Sequence, residues 1–135
     1  MQVISWNYRG LGNPIKLVVV KNVLRMAPSE ILLLQETKIE EEALLLIRNK
    51  NWNLNAGNAV SARGSYGGLA TLWRDHKFQL KKVYATQHWI HTELFHHSSK
   101  TSYALFNLYV PVNYSEKRTV GKRYQIFLSF PLLPI

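Results

Sequence analysis

The sequence contains no cysteine, which excludes disulfide bonds and thiolate metal sites. Acidic residues are also scarce: seventeen Lys and Arg stand against eight Asp and Glu, and Asp75 is the only aspartate. No apolar run approaches the roughly eighteen residues that a membrane-spanning helix needs. The N-terminus lacks the basic start and apolar core of a signal peptide. These absences predict an intracellular protein, nuclear or cytoplasmic, that does not associate with a membrane.

The excess of basic residues gives the chain a formal net charge of +9 at pH 7. Such a surface favours polyanionic partners, of which nucleic acid is the commonest and an anionic membrane the alternative. A simpler interpretation is that the charge only aids solubility. Hydrophobic residues make up 47% of the 135 residues, which is enough to build one core. Without a repeat or a low-complexity linker, residues 1–135 are predicted to form a single domain.

Two apolar segments near the N-terminus each end in a polar side chain. A short strand ends at Asn7, and a second strand, Ile31 to Gln35, is followed by Glu36. Between them, Asn13-Pro14 is a typical helix start, and the helix is predicted to end at about Met26. Because a helical crossover makes the two strands parallel, their carboxyl ends lie at one sheet edge. Asn7 and Glu36 are therefore expected to form a hard-oxygen half-site suited to Mg²⁺.

The rest of the chain is predicted to contain another helix, several short strands and a last helix. Glu40 to Asn49 has an acidic first turn and a basic last turn, which suit the helix dipole. Alternating apolar residues beyond Trp52 predict strands at about 52–56, 68–74, 78–85, 88–95 and 102–110. Residues 115–128 are predicted as a helix. The apolar, proline-broken stretch from Phe127 to Ile135 is interpreted as a chain cut in mid-fold or as a frame-shifted tail.

Four motifs occur in this chain in a characteristic order: Ser5 to Pro14, Leu34 to Lys38, Ser65 to Ala70, and Asn107 to Pro111. Together they resemble the endonuclease/exonuclease/phosphatase superfamily and, more narrowly, the endonuclease domain of plant LINE-type retrotransposons. The resemblance covers about residues 2 to 125, roughly the first half of a full domain of that family. It implies an α/β fold: a partial, N-terminal half of a DNase-like two-sheet α/β sandwich.

The resemblance also implies Mg²⁺-dependent hydrolysis of phosphodiester bonds. In that chemistry Glu36 would be a metal ligand with Asn7 beside it, and Asn107 and Tyr109 would lie near the phosphate. The implied partner is DNA or another polyanion. Basic residues are expected to contact its backbone without reading sequence. These candidates are Arg9, Arg63, Lys117, Arg118, Lys122 and Arg123, although the cluster from Lys117 to Arg123 is also typical of a solvated face.

Several parts of the family's active site have no counterpart in this sequence. The family has downstream Asp-x-Asn and Ser-Asp-His elements, and the single Asp75 cannot supply both. Asp75-His76 is interpreted as a solvated hairpin turn, and the histidine spacings do not favour a metal site. Tyr8 and Val110 also replace a usual small Cys and a usual Gly, and a residue at a glycine position with positive φ is strained. These departures predict that the chain as it stands is catalytically incomplete.

Three functional hypotheses follow. The first is a truncated Mg²⁺-dependent endonuclease domain of retrotransposon origin, probed by the nicking of DNA. The second is a basic nucleic-acid-binding remnant without catalysis, and the third is a phosphatase or phospholipid hydrolase of the same superfamily. A half-domain is also expected to leave one face of its sheet uncovered, and therefore to self-associate through that face.

Overall fold

The structure, a computed structural model, describes residues 2–27, 29–44, 46, 52–62 and 67–108, and the backbone of 127–132. In chain order the elements are β1 (Val3–Asn7), α1 (Pro14–Met26), β2 (Ile31–Gln35), β3 (Ala56–Val60), β4 (Leu69–Trp73), β5 (Phe78–Ala85), β6 (Trp89–His96), β7 (Thr101–Leu108) and β8 (Phe127–Leu132). A short helical stretch is also present at 41–44 and 46. The rest of the predicted second helix, the strand end at 109–110 and the helix over 115–126 lie outside the described residues.

The strands form two four-stranded sheets that pack face to face. The first has the order β1-β2-β4-β3 and the second β5-β6-β7-β8. Strands β1 and β2 are parallel, and every other described pair is antiparallel. One apolar cluster fills the space between the sheets, and another lies between the first sheet and α1. This is a two-sheet α/β sandwich, which confirms the predicted fold class.

Helix α1 begins and ends where the sequence predicts. The Asn13 side chain caps it by accepting a hydrogen bond from the Ile15 backbone N–H at 2.9 Å, and Pro14 occupies the first helical position. At the other end, the Ala27 N–H donates to the Val23 carbonyl at 2.8 Å. The helix packs Val20 into the core while much of its opposite face is exposed. Since α1 connects β1 to β2, it is the crossover that makes these two strands parallel.

Strand β2 is buried along its whole length because both of its faces are covered. Leu32 and Leu34 belong to the cluster under α1, whereas Ile31 and Leu33 belong to the cluster between the sheets. The expectation of an uncovered face on this sheet is therefore wrong, since β5 to β8 already pack against it. Self-association stays a prediction, and the second sheet offers exposed apolar side chains for it at Leu80, Val83 and Tyr84.

Several predicted boundaries differ from the structure for identifiable reasons. The strand expected at 52–56 lies at Ala56–Val60, and Trp52 and Leu54 enter the core from irregular backbone. The turn after Trp73 joins strands of different sheets and is therefore not a hairpin; it is a short 3-10 helix at Asp75–Lys77. The expected helix over 115–128 is wrong for its last two residues, which begin the strand β8. Among the described strands, β8 lies at an edge of its sheet, the position that tolerates Pro131.

Gly57 in β3 is expected to be intolerant of a side chain. A Cβ at this position would lie 2.5 Å from the Thr71 carbonyl oxygen and 2.6 Å from Leu72 Cδ2. Gly57→Ala should therefore lower the free energy of unfolding by about 2 kcal/mol, the usual range for overpacking. Gly12→Ala is the matched control, because its Cβ would meet Ile39 Cγ2 at an ordinary 3.6 Å. Equal urea midpoints for the two variants would contradict the close approach of β3 and β4.

Candidate metal site at the edge of the first sheet

The candidate site is built by the carboxyl ends of β1 and β2. Asn7 lies opposite Gln35 in the parallel register, and Glu36 follows directly, so Asn7 and Glu36 lie at the same edge of the sheet. The two loops that follow these strands are hydrogen-bonded to each other. The Gly10 N–H donates to the Glu36 carbonyl at 3.0 Å, and the Leu11 N–H donates to the Thr37 carbonyl at 2.9 Å. These bonds fix the loop after β1 against the turn that carries Glu36.

Glu36 presents a largely buried carboxylate at this edge. The residue is only 3% exposed, and its backbone has a left-handed φ of +56°. The Arg9 Nε lies 3.9 Å from Glu36 Oε2, while 57% of the Arg9 side chain is exposed. An ion pair at this distance with a solvated partner contributes little stability. Arg9 is therefore available to bind an external anion. It lies beside the Glu36 carboxylate, which is suited to binding a cation.

The turn at Glu36 is supported by the glycine pair that the sequence showed only as a motif. The Thr37 N–H donates to the Gly68 carbonyl at 3.2 Å, and the Lys38 N–H donates to the Gly67 carbonyl at 3.0 Å. Both glycines have positive φ, +76° for Gly67 and +92° for Gly68. A Cβ on Gly68 would lie 2.2 Å from Thr37 Oγ1, so a side chain there would displace the turn.

Asn107 lies between the two sheets and has no exposed surface. Its Nδ2 donates to the Ala70 carbonyl at 2.8 Å and to the Leu34 carbonyl at 3.2 Å. Its Oδ1 accepts a hydrogen bond of 2.7 Å from Gln35 Nε2, which also lies 3.2 Å from Ser5 Oγ. The position near the phosphate that the resemblance implies for Asn107 stays a prediction, since the structure shows its side chain only buried and bonded to Gln35, Leu34 and Ala70. Asn107 holds the end of β2, next to Glu36.

Gln35 is a supporting residue that sequence reasoning did not single out. Its amide links β1, β2 and β7 through the bonds to Ser5 and Asn107, and the residue is 1% exposed. The available signal was an amide side chain that ends an otherwise apolar buried strand. A buried amide in that position needs hydrogen-bond partners, which predicts a polar contact from a neighbouring element.

The other predicted site residues are not part of this arrangement as described. Tyr109, Arg63, Lys117, Arg118, Lys122 and Arg123 lie outside the described residues, and their roles stay predictions. Asp75 and His76 are exposed and follow Trp73, which pairs with Ile31 at the beginning of β2. They therefore lie at the opposite edge of the sheet from Glu36. Tyr8 stacks on Trp6 with ring centroids 4.4 Å apart and packs in the cluster under α1.

The described side chains fit a metal ion only as a half-site. Among them there is no group of three His, Asp or Glu that could hold a metal. Two of the histidines have other contacts: His96 Nε2 lies 3.0 Å from Glu30 Oε2, and His91 stacks on Phe106. Glu36 and Asn7 offer one carboxylate and one amide oxygen. Mg²⁺ commonly uses one or two carboxylates and completes its coordination with water and substrate phosphate, which suits this donor set.

Comparison with known protein families identifies the family of this chain. No helix within the described ranges is long and apolar enough to cross a membrane. A search of curated proteins found no significant match to this sequence. The model of the Endonuclease/Exonuclease/phosphatase family matches residues 4–128, which include α1, the strands β2 to β7, most of β1 and the first two residues of β8. The chain therefore belongs to the endonuclease/exonuclease/phosphatase family, and its two sheets form a partial α/β sandwich of that family's type.

Proposed function

We propose that the chain is an endonuclease-type domain of LINE retrotransposon origin that binds DNA and uses Mg²⁺ at Glu36. The observation that carries this proposal is the placement of the buried Glu36 carboxylate at the carboxyl edge of β1 and β2, beside Asn7 and Arg9. Members of the family are generally metal-dependent. The plant-type opening from Trp6 to Gly12 favours the retrotransposon branch over the phosphatases and phospholipid hydrolases of the family.

Each residue at this edge has a distinct proposed role. The Glu36 carboxylate would hold Mg²⁺, and the Asn7 amide oxygen would bind the ion or orient one of its waters. When bound, the ion would stabilise negative charge on the phosphate and on the leaving oxygen. The Arg9 guanidinium would contact a phosphate oxygen and fix the position of the DNA backbone. Gln35 and Asn107 would hold the end of β2 in register, so that Glu36 keeps its position.

We also propose that this chain by itself does not catalyse the hydrolysis of phosphodiester bonds. Its only aspartate, Asp75, lies at the opposite edge of the first sheet, and the described residues include no group of three His, Asp or Glu that could hold a metal. A family site needs further groups to activate water and to bind phosphate. Because such groups act as a unit, removing some of them loses most of the rate.

Nicking of supercoiled plasmid in the presence of Mg²⁺ tests this proposal about turnover. We expect no nicking above background by the chain, by Glu36→Gln, or by the matched control Glu93→Gln on β6. Nicking that is lost in Glu36→Gln and kept in Glu93→Gln would show a complete site and overturn the proposal. Equal nicking by all three proteins would identify a contaminating nuclease, which a further purification step would remove before the comparison is repeated.

DNA binding is expected to be electrostatic and to weaken steeply with salt. The net charge of +9 predicts that affinity for duplex DNA falls at least about tenfold between low and physiological salt, because phosphate contacts release counterions. Arg9→Gln should lower the slope of log K against log salt by about one if Arg9 contacts one phosphate. Lys82→Gln, an exposed residue on β5 of the second sheet, is the control. A slope unchanged by Arg9→Gln would contradict its role.

The second candidate function is a nucleic-acid-binding module without metal chemistry. The basic net charge favours it, and the incomplete donor set at Glu36 is compatible with it. Mg²⁺ distinguishes the two candidates. DNA affinity is measured with Mg²⁺ and with a chelator at constant ionic strength, for both the wild type and Glu36→Gln. An affinity that is the same under all of these conditions would favour the binding module. A phosphate-release assay tests the phosphatase alternative.

A further inference from the structure

A separate basic pocket lies behind α1, at the edge of the first sheet opposite Glu36. It is formed by the C-terminal half of α1, residues 52–54 and the residue after β4, and its volume is about 410 Å³. Its lining residues are Lys21, Leu24, Arg25, Trp52, Asn53, Leu54 and Arg74. Because Arg74 follows the end of β4 that pairs with the beginning of β2, the pocket is remote from the candidate metal site.

Three cationic side chains line this pocket, and the residues that line it include no Asp or Glu. Lys21 and Arg25 are exposed and lie one helical turn apart, so they occupy the same face of α1 and repel each other. Arg74 is anchored: its Nε donates to the Ser29 carbonyl at 3.3 Å and its backbone N–H to the Glu30 carbonyl at 3.2 Å. A bound anion would relieve the repulsion among these cations, and this favours a dianionic ligand such as a phosphate monoester.

The remainder of the pocket is apolar and held in place. Trp52 and Leu54 are buried in the cluster under α1, and Trp52 Nε1 donates to the Leu17 carbonyl at 3.3 Å. Leu24 adds apolar surface from α1, and the exposed Asn53 adds a side-chain amide. Inorganic phosphate would use only the cations. A ligand with a phosphate at one end and a flat, largely apolar group at the other would use both parts of the pocket.

We propose that this pocket binds a nucleoside monophosphate, either free or as the phosphorylated end of a DNA strand. Lys21, Arg25 and Arg74 bind the phosphate. The base lies over Leu24, the half-buried apolar residue of the lining, and the buried Trp52 and Leu54 form the floor beneath it. The volume is within the range typical of small-ligand pockets. This binding requires neither Mg²⁺ nor Glu36, so it stands or fails independently of the proposed nuclease function.

The test is a titration of the full chain followed through its tryptophan indole N–H resonances. We expect deoxyadenosine monophosphate to shift the Trp52 resonance and to bind more tightly than either deoxyadenosine or inorganic phosphate. The double variant Lys21→Gln/Arg25→Gln should weaken this binding at least about tenfold, the loss expected for two charge-assisted contacts. The control Lys81→Gln/Lys82→Gln, which removes the same charge from β5, should leave the affinity unchanged. All four substitutions are on exposed side chains, and the amide spectrum checks the fold.

Two results of this titration would overturn the proposal. One is equal loss of affinity in both double variants, which would show a general charge effect. The other is the failure of deoxyadenosine monophosphate to bind more tightly than inorganic phosphate in a folded sample. Oligonucleotides with and without a 5′-phosphate identify the source of the ligand: a preference for the phosphorylated strand over the free nucleotide assigns the pocket to a strand end, and the reverse preference assigns it to free nucleotide.

Discussion

Asn107→Ala is expected to lower the free energy of unfolding by about 3 kcal/mol. The substitution removes the acceptor of the 2.7 Å bond from Gln35 Nε2 and the donor to the Ala70 and Leu34 carbonyls. All of these groups lie between the two sheets, where water does not replace a lost partner easily. An unpaired buried polar group typically costs about 1–3 kcal/mol. The three groups that lose a partner here therefore account for the expected total of about 3 kcal/mol, even at the lower end of that range. Equilibrium unfolding in urea measures the effect.

Two matched variants separate the hydrogen bonds of Asn107 from its volume. Asn107→Asp keeps the shape but replaces the Nδ2 donor with an acceptor facing two carbonyls, so it should destabilise the chain at least as much as Asn107→Ala. Asn22→Ala, on the exposed surface of α1, should change stability by no more than about 0.5 kcal/mol. If Asn107→Asp were as stable as wild type, the hydrogen-bond network between the sheets would be wrong.

Gly68→Ala is expected to destabilise the chain by about 3 kcal/mol and to disturb the turn at Glu36. Two effects add. The left-handed backbone at φ +92° is unfavourable for alanine, and the new Cβ would lie 2.2 Å from Thr37 Oγ1 and 2.9 Å from the Lys38 nitrogen. Because Thr37 and Lys38 follow Glu36 directly, we expect large amide shifts at Glu36 and Lys38 in the ¹H–¹⁵N spectrum.

Gly67→Ala is the internal control for this prediction. Gly67 has a similar φ of +76°, but a Cβ there would meet no atom of the described residues within 4 Å. It should therefore show the conformational effect alone, about 1–2 kcal/mol, and leave the Glu36 resonance near its wild-type position. If the two variants lost equal stability and shifted Glu36 equally, close packing of Gly68 against Thr37 would not be what supports the turn.

The first sheet was predictable because its signals are local. The Asn13 cap and Pro14 fix the start of α1, and the unbroken apolar run of β2 fixes a strand covered on both faces. From these two features follow the parallel pairing and the meeting of Asn7 and Glu36 at one edge. The strands β4 and β5 were also found within a residue or so, since alternation and turn residues delimit them.

The features that were not predicted depend on contacts between residues distant in sequence. The sequence gives no local sign that Asn107 is buried against Gln35, because the two residues are 72 positions apart. The second sheet covers the first through packing between similarly distant residues, such as Ile31 and Leu33 with Leu94 and Leu105, so the uncovered face was a wrong inference. The start of β3 was misplaced because Trp52 and Leu54 look like strand residues, whereas they enter the core from irregular backbone.

The two edges of the first sheet carry different chemistry. The edge formed by the carboxyl ends of β1 and β2 carries the carboxylate of Glu36, the amide of Asn7 and the guanidinium of Arg9. At the opposite edge, the pocket offers the cations Lys21, Arg25 and Arg74 and the Asn53 amide over apolar side chains. A DNA-binding domain with both features would contact phosphate at two separated places, which suits a partner that extends along the molecule.

Paramagnetic broadening by Mn²⁺, as a substitute for Mg²⁺, is the most direct test of the metal half-site. We expect the amide resonances of residues 7–10 and 36–38 to broaden first as Mn²⁺ is added to the labelled chain, and excess Mg²⁺ to restore them. Glu36→Gln should abolish this pattern, and Glu93→Gln should leave it intact. Broadening that is centred on other carboxylates, or that is unchanged in Glu36→Gln, would contradict a metal site at Glu36.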